Sequence, residues 1–223
     1  LSARGISTLL YQLGQARFTE VDCLQRLCTH AASRLPEFNA RDISNAVYAL
    51  GKLAYRHQLF MAAVCNHMPT CLPNFNSQDI SNIVYSLGLL AYRHEKLLCS
   101  ICSFIPAQLS EFKTQGLSNT VYGLGLLDYK HELLFNALCA HAKLRLHEFK
   151  PQELSNTVYA FGLLAYKHEA FLEAVCTLLP ACLARFTPQG LSNTVYALGL
   201  ISYRHKGCLG ALCGHAASRL AGF

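Results

Sequence analysis

The sequence has little charge and no long hydrophobic run. Charged residues make up 14% of the 223 residues against 52% hydrophobic, so a disordered chain, which needs low hydrophobicity and high charge, is excluded. Tyrosines, glycines and basic residues interrupt every apolar stretch before it nears the roughly 18 residues of a membrane-spanning helix. Neither a signal peptide nor an Arg/Ser-rich transit segment is present. The chain opens on Leu1 rather than Met, which suggests a fragment or a processed form. No Ser/His/Asp set and no pair of carboxylates stands out. The chain is expected to be no enzyme and to need no cofactor. The eleven cysteines are odd in number and lack a short-spaced disulfide framework, which points to thiols in a reducing compartment. Lys plus Arg is 19 and Asp plus Glu 13, a net charge of +6. That bias suits a polyanionic partner without proving one.

What is present is a repeat. DISNAVYALGKLAYRH around Ile43 recurs as DISNIVYSLGLLAYRH at Ile80, GLSNTVYGLGLLDYKH at Leu117, ELSNTVYAFGLLAYKH at Leu154 and GLSNTVYALGLISYRH at Leu191. A degenerate copy stands at Ile6, and every step is 37 residues. A fixed period in this range marks stacked helical hairpins. The expected fold is all-α, a solenoid of about six 37-residue hairpin repeats. It forms one array over 1–223, with units near 2–38, 39–75, 76–112, 113–149, 150–186 and 187–223. Ile43, Val47, Leu50 and Ala54 define one stripe of a first helix over about 40–54. Asn39 with Asp42, and Asn76 with Asp79, resemble capping boxes. A second helix over about 58–72 carries Phe60, Val64, Met68 and Leu72, and Pro69, Pro106 and Pro180 should kink or end it in three units. Both ends of the array lack polar caps, which suggests that it continues or docks onto something.

The motif Leu117-Ser118-Asn119-Thr120-Val121-Tyr122, preceded by Phe112-Lys113-Thr114-Gln115, resembles the octotricopeptide repeats of algal organelles. The 37-residue period resembles even more the heptatricopeptide variant of apicomplexan organelles. The resemblance covers essentially the whole chain. It implies paired-helix repeats that wrap organellar RNA in RNA processing, translation control or ribosome assembly, and a mitochondrial rather than plastid location. Where the family usually has tryptophan after the Asn motif, this sequence has tyrosine. No C-terminal nuclease-like domain is visible.

On a helical wheel the side of the first helix opposite the buried stripe carries the candidate RNA-binding residues. They are Arg41, Asn45, Lys52 and Arg56 in one repeat and Gln78, Asn82 and Arg93 in the next. Gln115, Asn119 and Lys130 follow, then Gln152, Asn156 and Lys167, then Gln189, Asn193 and Arg204. Asparagine offers a donor and an acceptor for a base edge or sugar, or bridges to the neighbouring helix. The Arg/Lys row supplies one cation per repeat for phosphates, or compensates helix C-termini. Two tyrosine rows, from Tyr11 and Tyr55 onward, could stack bases but at this spacing more often pack between repeats. The row His57, His94, His131, His168 and His205 is one residue per repeat without a carboxylate partner, so it suits closing the inter-helix turn and not a metal. The glycines at 14, 51, 88, 125, 162 and 199 mark close helix approach. The periodic cysteines 28, 65, 102, 139, 176 and 213 act as small hydrophobes. Two readings compete. One is single-stranded or ribosomal RNA held in a ribonucleoprotein. The other is a protein–protein scaffold, favoured by Leu89, Leu126, Leu163 and Leu200 on the polar face.

Overall fold

The computed structural model describes residues 1–220, and among them there are twelve α-helices and no strand. The first helices of the hairpins are α1 (Ala3–Gln15), α3 (Ala40–Lys52), α5 (Ser77–Leu89), α7 (Thr114–Leu126), α9 (Pro151–Leu163) and α11 (Pro188–Leu200). The second helices are α2 (Val21–Ser33), α4 (Gln58–Cys71), α6 (Glu95–Phe104), α8 (Glu132–Leu144), α10 (Glu169–Cys182) and α12 (Lys206–Leu220). The all-α hairpin-repeat fold expected from the period is the one that forms. The chain divides into two compact units, Leu1–Phe112 and Lys113 onward. Within each, consecutive hairpins stack as in a solenoid.

Local sequence starts and stops each helix. Asn39 Oδ1 accepts from the Asp42 N–H at 2.9 Å while Asp42 Oδ2 accepts from the Asn39 N–H at 3.3 Å, and Asn76 with Asp79 repeats this box. The first helices end sooner than periodicity predicts. α3 stops at Lys52, and Ala54 lies beyond it at φ 50°. The Tyr55 N–H donates to the Leu50 carbonyl at 3.0 Å and the Ala54 N–H to that of Gly51 at 3.2 Å, which is a Schellman motif. Arg17, Ala91, Asp128, Ala165 and Ser202 repeat the positive φ. Position 54 and its counterparts are therefore not part of the buried stripe. The wheel carried them onto it by extending an α-helix through a left-handed residue, and most of them are exposed turn residues. Of the three prolines expected to break second helices, Pro106 does so: α6 ends at Phe104 and a 3-10 turn follows over Ile105–Glu111. Pro69 and Pro180 stay inside α4 and α10. They fall in the last turn, where a missing N–H removes a single bond near the helix end.

The stacking is set between first helices. A Cβ built on Gly14 would lie 2.9 Å from Ala49 Cα; one on Gly51 would lie 2.8 Å from Ser86 Cβ; ones on Gly125 and Gly162 would lie 2.8 Å from Ala160 Cβ and Ala197 Cα. Each glycine thus meets a small residue of the next first helix at a distance that no side chain tolerates. Beside this contact a serine ties the helices together. Ser7 Oγ donates to the Asp42 carbonyl at 2.9 Å, Ser44 to that of Asp79 at 3.4 Å, and Ser118 to that of Glu153 at 2.9 Å. Behind the first helices, Ile43, Val47 and Leu50 are buried against Phe60, Val64 and Met68, and equivalent residues fill the next three hairpins; in the last, Leu191 is half-buried and Val195 is 44% exposed. Of the periodic cysteines, Cys28, Cys65, Cys102, Cys139 and Cys176 lie in this core, but Cys213 is exposed. Burial pushes the Cys28, Cys65 and Cys102 thiols up to about 12, so they remain protonated and act as small apolar side chains.

Gly199 has no neighbour within 4 Å of a built Cβ, which makes it an internal control. Gly199→Ala should stabilise by up to about 1 kcal/mol through helix propensity, whereas Gly162→Ala should destabilise by about 1–3 kcal/mol through overpacking. Urea unfolding of both variants measures the difference in sign. Ala165→Gly, relieving a left-handed alanine, should raise stability by about 0.5–1 kcal/mol in the same measurement.

Candidate nucleic-acid interface

One stripe of each first helix points away from the second helices. On α3 it consists of Arg41, Asn45, Tyr48 and Lys52, of which Arg41 and Lys52 are exposed and Asn45 and Tyr48 half-buried. From α5 onward the outer positions change to glutamine and leucine. Gln78, Gln115, Gln152 and Gln189 are exposed, and Asn82, Asn119, Asn156 and Asn193 are half-buried. None of these five asparagine side chains makes a hydrogen bond among the described residues. At Ser44 and Ser118 the residue before the asparagine makes the bridge between neighbouring first helices, whereas Ser81 and Ser155 donate to the Gln78 and Gln152 carbonyls of their own helices. Within each unit the carboxamides therefore stand along the first helices with donor and acceptor uncommitted among the described residues.

The first tyrosine row flanks the asparagines. Tyr11 and Tyr48 have ring centroids 6.4 Å apart, and in the second unit Tyr122, Tyr159 and Tyr196 follow one another at 6.3 Å. These rings pack between repeats; Tyr48, Tyr122 and Tyr159 are half-buried and Tyr196 is 56% exposed. Burial, with Tyr11 adding to it, raises the Tyr48 hydroxyl above its ordinary value, so it stays neutral. The second tyrosine row is structural. Tyr92, Tyr166 and Tyr203 are buried. The hydroxyls of Tyr55, Tyr166 and Tyr203 donate to Gln25, Asn136 and Glu173 of the preceding second helix at 3.0, 2.7 and 2.8 Å.

The cation row sits in the turn after the Schellman residue, at the rim of the stripe. Arg56 lies 4.8 Å from the centre of the Tyr92 ring, Lys130 5.5 Å from Tyr166, and Lys167 5.6 Å from Tyr203. Arg93, Lys130 and Lys167 also pair with Glu95, Glu132 and Glu169 at 2.6, 3.4 and 2.7 Å. These pairs are exposed and worth little, but the cation–π contacts add a staple between hairpins. The ammonium and guanidinium groups remain open to solvent, as does Arg204. Lys52 is held by Gln15 Oε1 at 2.8 Å.

Each histidine of the turn caps the following helix. His57 Nδ1 accepts from the Phe60 N–H at 3.1 Å, His94 from Leu97 at 3.2 Å, His131 from Leu134 at 3.2 Å, His168 from Phe171 at 3.2 Å, and His205 from Cys208 at 3.0 Å. This is the turn-closing hydrogen bond expected of them. Among the described residues no group of three or more His, Cys, Asp or Glu is placed to hold a metal ion, and no helix is long and apolar enough to cross a membrane. Two features escaped the sequence reading, the bridging serines and the left-handed turn. The invariant Ser before each Asn was the available signal for the first. Nothing signalled the second, because alanine, aspartate and serine stand where glycine would have marked it.

The fold and this surface define a helical-repeat protein with an amide-and-tyrosine face rimmed by cations. Residues 1–95 match the family model described as RNA-editing substrate-binding complex 6 protein. No curated protein matches the chain. Together with the all-helical fold, the family match supports an RNA-associated helical protein.

His57 yields a pH prediction. Burial lowers its pKa below the ordinary histidine value of about 6.5, and the cap needs the unprotonated Nδ1. Its contribution is therefore present above the unfolded value and is lost as pH falls through the folded one. His57→Asn keeps a capping acceptor but does not titrate. Unfolding free energy should drop more steeply between pH 7 and pH 5 for the wild type than for H57N, measured by urea denaturation at each pH.

Proposed function

We propose that the chain binds single-stranded RNA along the outward stripe of its first helices, in an organellar RNA-processing assembly, and that it acts by binding rather than by catalysis. The observation that carries this reading is the row of half-buried asparagines whose side chains make no hydrogen bond among the described residues. A carboxamide held in place by its helix and left uncommitted offers two donors and an acceptor to a ligand. The neighbouring tyrosines offer stacking surfaces, worth about 1–3 kcal/mol per base. The rim cations supply regular positive charge for a phosphate backbone. The resemblance to octotricopeptide and heptatricopeptide repeats supports the same ligand and a mitochondrial location. The family match over residues 1–95 favours RNA processing over a ribosomal role.

A second reading, a protein–protein scaffold, has one observation in its favour. Leu89 and Leu200 are 38% and 44% exposed on the outward stripes of α5 and α11, one in each unit. A partner retained in pull-down after nuclease treatment would support it.

The asparagines decide between the two. Asn119→Ala, Asn156→Ala and Asn193→Ala together should leave the melting temperature within a few degrees of wild type, because they break no internal bond. Affinity for single-stranded RNA should fall at least about tenfold, the equivalent of 1.4 kcal/mol, and binding should weaken steeply with salt. Unchanged RNA affinity in a folded variant would remove the stripe from the binding surface.

A further inference from the structure

The outward face of the second unit repeats one uncharged set of side chains. Gln115, Asn119 and Tyr122 stand at i, i+4 and i+7 on α7, and the same residue types hold the matching places on α9 and α11. The next outward place on each helix is leucine, so no charge interrupts the set. The glutamines are exposed, the asparagines are half-buried, and neither amide makes a side-chain hydrogen bond among the described residues. The tyrosine rings are 6.3 Å apart, near twice the rise of about 3.4 Å between stacked bases. Bases in register with the repeats are therefore spread apart, and each meets one ring and one pair of amides.

What this face lacks narrows which base fits. Guanine presents two adjacent acceptors, O6 and N7, which Arg or Lys meets; the N4 amine of cytosine is met by Asp or Glu. Neither residue class occurs on the stripe in this unit. On the same edge a carboxamide, which pairs a donor with an acceptor, is the complement of adenine N7 and N6, whereas uracil presents only the O4 acceptor there. The first unit differs, since Arg4 and Arg41 hold the glutamine position in its first two hairpins. Uniformity has its own consequence. Three identical sets in succession favour the same base three times over, so the fitting ligand is a homopolymeric run and not a mixed sequence.

We propose that the second unit recognises a run of adenines in single-stranded RNA, one base per repeat. Each glutamine and asparagine reads the base edge while the tyrosine stacks on its plane. The inference rests on the RNA-binding reading above and adds the identity of the bases.

The test uses the full chain and end-labelled oligo(A), oligo(U) and oligo(C) of equal length, with affinities read by fluorescence anisotropy. Oligo(A) should bind about tenfold more tightly than the other two, within the range a good amide–adenine pair discriminates. Gln115→Arg, Gln152→Arg and Gln189→Arg together copy the residue already present at Arg41, and an unchanged thermal melt confirms folding. The added charge should tighten binding to all three strands while the preference for oligo(A) disappears. Equal affinity of the wild type for all three strands, or a preference for oligo(U) or oligo(C), overturns the adenine assignment and leaves the RNA-binding reading standing. A preference for oligo(A) that survives the three arginines also overturns it, since the amides would then not be its source. Failure to bind any strand removes both.

Discussion

Everything on the outward face depends on how closely the first helices approach one another. Glycine in one helix meets Ala or Ser in the next at a separation that excludes even a methyl group. Packed helices ordinarily stand about 8–10 Å apart, depending on the side chains at the contact, and removing those side chains brings the axes together. Each glycine costs about 1 kcal/mol of helix propensity, offset by van der Waals contact along the helix and by the serine hydrogen bond beside it. The same approach places the outer tyrosines 6.3–6.4 Å apart. A bulkier residue at the glycine would widen the repeat and move these rings apart.

The remaining polar residues divide between holding the repeat and facing outward. Ser7, Ser44 and Ser118 bridge first helices. Histidine caps second helices. The second tyrosine row and the rim cations join one hairpin to the next. After these assignments, the asparagine and glutamine amides of the outward stripe from α5 onward still make no side-chain hydrogen bond among the described residues. That division makes asparagine a stronger candidate for ligand contact than the Arg/Lys row, whose cations already face a tyrosine ring or a glutamate and can meet phosphate only in addition. His57 adds a pH response of stability that lies in its turn, apart from the outward stripe.

Much of the hairpin architecture was legible because it repeats. The stripe Ile43, Val47 and Leu50 and the glycine period carry a local physical signature that repetition makes unmistakable, and the capping pairs Asn39/Asp42 and Asn76/Asp79 carry theirs in two repeats. The errors fell where a local signature was missing. Ala54 continued the helical period in sequence yet adopts φ 50°, because the Schellman hydrogen bonds outweigh the strain of a left-handed alanine. Pro69 and Pro180 were expected to disrupt their helices, but position within the last turn softened the effect.

Sequence by itself determined the period, the helices, their caps and which side of each first helix is buried, since these follow from residue spacing and short-range bonding. Tertiary structure alone decided which polar residues are occupied. Whether Asn45 or Ser44 bridges to the next helix, and whether Arg56 faces solvent alone or across the Tyr92 ring, depends on distances between residues 35 or more apart in sequence. Adjacent residues on a helix point to different sides, and only the position of the neighbouring hairpin determines which of them finds a partner there.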